Sequence, residues 1–138
     1  MDKHMTLTKI IKQHEGLRLF PYQCSAGKTT IGWGRNLSDC GISVPEANYL
    51  LNRDIKKAKH ATEIIFPKLN SYSESRQIAL IDMMFNLGMS RFRTFKKMIK
   101  AIKNDDWEEA ARQAKDSLWY RQVKGRATDD ISLMLGEI

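Results

Sequence analysis

A segment that opens on Ser43-Val-Pro-Glu46 and closes on Pro67 constrains this chain more than any other. Ser followed three residues later by Glu is a capping box, and proline is tolerated in the first helical turn. Ile42 stands where it could staple onto Ala47. Behind the cap, Ala47, Leu50, Leu51, Ile55, Ala58, Ala61 and Ile65 keep helical spacing for about six turns. Pro67 ends the run, because the residue before a proline avoids helical geometry. A helix of ~20 residues spans ~30 Å, about the diameter of a small domain. The expectation is therefore a helix that joins two lobes, and ligands favour the cleft such lobes leave.

The two sides of that helix differ. On the N-terminal side, Leu7, Ile10, Ile11 and His14 predict a short amphipathic helix over Thr6–Glu15, stopped by Gly16. Leu17 to Gln23 then alternates apolar and polar residues, with Pro21 suited to an edge strand. Ser25-Ala-Gly27 reads as a turn, and Thr29-Thr-Ile-Gly-Trp-Gly34 is rich in strand formers. This predicts a hairpin or three-stranded sheet, then a loop over Asn36–Gly41. On the C-terminal side everything reads as helix. Ser71-Tyr-Ser-Glu74 is a second capping box, leading into Ile78, Ile81, Met84, Phe85 and Leu87 and a stop at Gly88. Further helices fit Phe92–Ile102, Asp106–Ala114, Ser117–Gln122 and Ala127–Leu135. The class is α+β, with helices segregated after a small sheet. The expected organisation is one domain over 1–138. It has a β-containing lobe at about 15–45, a connecting helix at about 43–66, and a helical lobe at about 67–138 packed with helix 6–15.

Composition excludes several classes. The chain has 138 residues, 42% hydrophobic and 28% charged, which is a globular balance. Ile78-Ala-Leu-Ile81 is broken at once by Asp82, so no transmembrane helix of ~20 apolar residues fits. Charged residues at Lys3, Lys9, Lys12 and Glu15 leave no room for a secretory h-region, so a soluble, cytoplasmically made protein is expected. Met1-Asp-Lys-His-Met5 reads as a short vector-derived leader before a native start at Met5. His4, His14 and His60 are scattered and no CxxC is present, so neither a metal nor a cofactor is expected. The formal net charge of +7 attracts polyanions, and composition alone puts nucleic acid first.

Glu15 breaks a local rule. A carboxylate in the last turn of a helix sits at the negative end of the macrodipole, which disfavours its ionised form and suits a general acid. The bland alternative is an exposed glutamate at a frayed helix end. Its context changes that balance. Glu15-Gly-Leu-Arg-Leu-Phe-Pro-Tyr22, then Cys24, then Thr29-Thr-Ile-Gly-Trp-Gly34, resembles the active-site segment of phage-type lysozymes, glycoside hydrolase family 24. In that family a Glu closes the first helix, eight residues intervene before an Asp or Cys, and five more before a Thr. Glu15, Cys24 and Thr30 match without a gap. The resemblance continues through Arg76–Gly88, Phe95, Trp107-Glu-Glu-Ala-Ala111, and Trp119-Tyr120 followed by Arg126.

The resemblance implies hydrolysis of the β-1,4 bond between N-acetylmuramic acid and N-acetylglucosamine in peptidoglycan. It implies Glu15 as general acid, Thr30 as the residue that positions water or lines the sugar subsite, and Arg126 as the partner of Glu15. Asn86 would hydrogen-bond substrate, while Tyr22, Gly34 and Arg35 would line the cleft; Arg35 replaces the family's more familiar His. Trp33, Trp107, Trp119 and Phe85 are expected in the core. The implied partners are peptidoglycan glycan strands, reached as a monomer through a holin, with no nucleic acid and no stable membrane insertion. Action would be in the periplasm, after synthesis in the host cytoplasm.

Cys24 departs from the commoner carboxylate. An unperturbed thiol, with a pKa of ~8.5, is a poor base at neutral pH. Lowered by Lys28 or Arg35, it could serve as a base or attack the sugar directly, so the stereochemical course stays open. A bridge to Cys40 would consume it and inhibit. Two readings of other classes remain: a basic DNA-binding helical module, and a wall-binding relative that lost turnover. The basic, apolar segment Arg91–Lys100 also invites a membrane-active helix, against the simpler reading of a packed helix with a solvated face.

Overall fold

The computed structural model describes residues 6–137, so the leader read at Met1–Met5 lies outside the described residues. The chain divides into two compact units, Met1–Tyr49 and Leu50–Ile138, and the division falls inside the long helix.

In the first unit, helix α1 spans Leu7–Glu15, and the Thr6 hydroxyl caps it by accepting from the Lys9 amide. Gly16, at φ 70°, ends it and donates its N–H to the Lys12 carbonyl. Strands β1 (Arg18–Gln23), β2 (Thr29–Gly32) and β3 (Arg35–Asn36) form an antiparallel sheet in that order. Pro21 therefore lies on an edge strand, where a missing N–H costs no ladder bond. Tyr22 faces Thr30 and Thr30 in turn faces Asn36, so Thr30 occupies the centre of the sheet.

The loop expected over Asn36–Gly41 is instead a single helical turn, α2, at Leu37–Cys40. Asn36 caps it by accepting from the Asp39 amide at 3.1 Å, and Gly41 ends it at φ 59°. One turn carries no periodicity, which is why the pattern alone missed it. Helix α3 (Val44–Ile65) starts as predicted. Ser43 N–H donates to Glu46 Oε1 at 2.9 Å, and Glu46 N–H donates to Ser43 Oγ at 3.3 Å.

The second unit takes the last turns of α3, where Ala58, Thr62 and Ile65 are buried while Leu50, Leu51 and Ile55 are exposed. A 3-10 turn at Leu69–Ser71 leads into α4 (Glu74–Leu87). Its cap is Ser73, accepting from the Arg76 amide, and not the Ser71 of the expected box, because Ser71 already belongs to the 3-10 turn. The buried face of α4 is Ala79, Leu80, Met83, Met84 and Leu87, whereas Ile78 and Phe85 lie exposed.

The helix expected over Phe92–Ile102 is two pieces, α5 (Met89–Phe92) and α6 (Lys96–Lys103), broken where the Thr94 hydroxyl bonds back to the Arg91 carbonyl. Helices α7 (Trp107–Lys115), capped by Asp106, and α8 (Leu118–Gln122), capped by Ser117, follow the reading closely. The last, α9 (Lys124–Leu135), starts three residues before its apolar pattern does. The core of this unit is aromatic and sulfur-rich: Phe66, Phe92, Leu69, Leu80, Met83, Met98, Ile102 and Met134 are all but inaccessible. Phe66 meets Phe92 edge-on at 6.0 Å, and Tyr72 meets Trp107 at 5.1 Å. Trp107 and Trp119 are buried as expected. Trp33 and Phe85, by contrast, are about two-fifths exposed, each with a cation over its ring.

Candidate active site

The first unit carries Glu15, Tyr22, Cys24, Thr30, Gly34 and Arg35. Glu15 is the last residue of α1, and its side chain lies against the turn between β2 and β3. A β-carbon built on Gly34 would stand 2.5 Å from Glu15 Oε2 and 2.7 Å from Cδ, so only glycine admits the carboxylate there. Gly34 also has φ 76°, a conformation that L side chains rarely adopt. Lys12, one turn earlier on α1, places its ammonium 4.9 Å from the Trp33 ring centre. A cation over an aromatic face is attracted by the ring quadrupole, so this contact helps hold α1 on the same turn.

Cys24 follows β1 in a tight loop. Its N–H donates to the Lys28 carbonyl and its own carbonyl accepts from Gly27, which curls the backbone around the sulfur. The Lys28 amide and then the Ala26 amide hold the Cys24 thiol below the ordinary thiol range; burial opposes them, and the Thr30 hydroxyl adds to them. Thr30 is 4% exposed and donates its hydroxyl to the Lys28 carbonyl at 3.0 Å. Oγ1 also keeps lone pairs that can orient a water. Cys24 and Cys40 are both free thiols.

Two expected cleft residues have other partners. Arg35 forms an ion pair with Glu46 at 2.5 Å and donates to the Gly41 carbonyl at 3.2 Å, tying β3 to the start of α3. Backbone and hydroxyl donors of Ser43, with Arg35, hold the Glu46 carboxyl below its ordinary value. Tyr22 carries the Arg18 guanidinium 4.8 Å from its ring centre.

Asn86 and Arg126 belong to the second unit. Asn86 Oδ1 accepts from the Trp119 indole at 2.8 Å, which fixes the amide orientation. Arg126, read as a partner for Glu15, has its ion pair here with Asp82, through Nε at 3.0 Å and a terminal nitrogen at 2.7 Å. Four residues further along α9, Asp130 is 2% exposed, and its Oδ2 has no hydrogen-bond partner. Burial, then hydrogen bonding to Asp82, pushes the Asp130 carboxyl up to about 9. Burial works against the Asp82 charge, but Arg126 and Asp130 together hold that carboxyl below its ordinary value. Asp130 is thus the protonated member and Asp82 the ionised one. Sequence reading missed this triad, since Asp82 and Arg126 stand 44 residues apart and pair only through packing of α4 on α9. The spacing of Arg126 and Asp130 by four on one helix was the only local signal.

The second unit also holds a groove of about 600 Å³ whose lining includes Arg91, Phe95, Lys97, Gln113, Ser117 and Trp119. Among the described residues no three metal-ligating side chains come together.

The model of the phage lysozyme family matches residues 12–132. The chain belongs to that family. The glycoside hydrolase resemblance drawn from Glu15, Cys24 and Thr30 thus extends over most of this lysozyme-family chain, together with its α+β class. It is similar to the pre-baseplate central spike protein Gp5 of Enterobacteria phage T4, 29% identical over 92% of this chain but only 27% of that protein. It is also similar to an endolysin of Acyrthosiphon pisum secondary endosymbiont phage 1, 32% identical over 86% of this chain and 81% of the relative. A third relative is the probable T4-type lysozyme 2 of Dictyostelium discoideum, 27% identical over 93% of this chain and 92% of that one.

Proposed function

We propose that this phage lysozyme family member, acting as a single lysozyme domain over 1–138, hydrolyses the β-1,4 bond between N-acetylmuramic acid and N-acetylglucosamine in peptidoglycan and so lyses the host. The observation that carries the reading is the seat of Glu15, whose carboxylate is held at the end of α1 against Gly34 in the same unit as Cys24 and Thr30. An acid fixed on a helix end by backbone geometry meets the positional demand of proton transfer to a leaving oxygen.

In this reading Glu15 delivers its proton to the glycosidic oxygen as the bond to C1 breaks. Cys24, favoured as thiolate by the Lys28 and Ala26 amides, acts on the opposite side of C1. As a base it takes a proton from the attacking water, held by Thr30, and the product anomer is inverted. As a nucleophile it forms a C1–S bond, which water then displaces with Glu15 as base, and the anomer is retained. Asn86 and Arg126 bind substrate, Tyr22 and Arg35 line the sugar site, and Gly34 shapes it. The protein is made in the host cytoplasm, works as a monomer without cofactor or metal, and reaches the wall through a holin.

The deciding experiment adds purified protein to isolated sacculi beside a Glu15→Gln variant. Release of muropeptides by the parent alone supports the proposal. Wall binding by both without release would leave a binding relative, and DNA binding without release a nucleic-acid module. Analysis of the product anomer separates the two roles of Cys24.

A further inference from the structure

The charge of this chain is not spread evenly. Residues 91–103 contain Arg91, Arg93, Lys96, Lys97, Lys100 and Lys103 and no Asp or Glu, so thirteen residues hold six of the seven net positive charges. Their placement on α6 is ordered. At 100° per residue, Lys96, Lys100 and Lys103 fall within about 60° of one another. Met98, Ala101 and Ile102 occupy the opposite side and are buried. All six cations are exposed, and among the described residues none has an ion-pair partner. The nearest acid on the adjoining helix, Glu109, is already bound by both a guanidinium nitrogen and Nε of Arg112.

We propose that the outer face of α6 is a docking surface for a linear polyphosphodiester of the bacterial envelope, a poly(glycerol phosphate) chain. Successive lysines rise about 6 Å and then about 4.5 Å along the helix, giving a single file of charges suited to a flexible chain of repeated phosphates. Two other polyanions fit less well. Membrane-surface helices bury an apolar face in lipid, and here that face is already packed in the core. Single-stranded nucleic acid is held largely by stacking on exposed aromatics. Phe92 is buried, however, and Phe95 half-buried against Trp119. Compact ammonium groups, which act as point charges, suit recognition of phosphate without sequence or planar fit. The inference leans on the wall-directed reading only for where such a polymer would be met.

The test measures binding of deacylated poly(glycerol phosphate) by the full chain and by a Lys96→Gln/Lys100→Gln/Lys103→Gln variant. Glutamine keeps the helix and removes only charge. The parent should bind with strong salt dependence. The variant should bind at least about tenfold more weakly, with a log–log salt slope smaller by about 2, as expected for three lost contacts to a single chain. Hydrolysis of sacculi stripped of the polymer should be the same for both. Equal binding by the variant would overturn the proposal, as would tighter binding of anionic phospholipid vesicles or of a single-stranded DNA of equal charge. Parent protein that binds the polymer yet releases no muropeptides supports the docking surface and removes only the enzymatic reading.

Discussion

The carboxylate of Glu15 occupies the space that a side chain at Gly34 would fill, with Oε2 2.5 Å from where the first carbon would stand. Replacing Gly34 with alanine is therefore expected to move the carboxylate more than the fold, because the far end of a glutamate yields readily. A displacement of ~1 Å in a catalytic group costs about a hundredfold in rate. Gly136 is the control: its φ of 73° is close to that of Gly34, but nothing lies within 4 Å. Both alanine variants should lose about 1–2 kcal/mol from the left-handed backbone. Only Gly34→Ala should lose the hundredfold in muropeptide release; similar rates for both would refute the link.

Asp130 makes stability depend on pH. Its carboxyl titrates near 3.8 in the unfolded chain and at about 9 in the folded one. Between those values the folded state holds a proton that the unfolded state has released. This contribution is fully present below about pH 4 and is lost as pH rises toward 9. The lowered Asp82 has its window on the acid side of its ordinary value and adds no slope above pH 5. Urea unfolding at pH 5, 7 and 9 should show the decline, and Asp130→Asn should flatten it. An unchanged slope in that variant would count against the assignment.

The Cys24 thiol should alkylate as an activated group. In a Cys40→Ser background, the pH midpoint for reaction with iodoacetamide is expected below the ordinary thiol range, and loss of muropeptide release should track modification. Thr30→Val should raise that midpoint by removing one contributing hydroxyl. Full activity after complete alkylation would exclude Cys24 from the chemistry.

Trp119 holds Asn86 through one indole N–H, at 2.8 Å. Trp119→Phe removes that donor while keeping a ring against Phe95. The expected cost is about 1 kcal/mol in stability, measured by denaturant unfolding. If Asn86 contacts sugar, KM should rise several-fold with kcat little changed.

What the sequence made legible was local. Ser43 was readable as a helix cap because its short polar side chain reaches an amide three residues on, a relationship complete within one turn. The sheet was legible for the same reason, with a turn and two strand-forming runs lying side by side in the chain. Ser71 and Ser73 compete for one cap, and the winner depends on the 3-10 turn set by burial of Leu69. The break at Thr94 is likewise a side-chain bond that no apolar period records. In the candidate site, the spacing of Glu15, Cys24 and Thr30 was readable. The commitment of Arg35 to Glu46, and of Arg126 to Asp82, arises only from packing.

The buried carboxyl on α9 also makes folding of this chain a reaction with a proton among its reactants. Near neutral pH, every molecule that refolds withdraws about one hydrogen ion from the medium, and every molecule that melts returns it. The heat measured on unfolding at neutral pH will then include the heat the buffer absorbs or releases in accepting that ion. The same protein at the same pH should show a larger unfolding enthalpy in phosphate than in an amine buffer, because an amine gives off more heat on taking up the proton. Replacing Asp130 with asparagine should bring the two heats together.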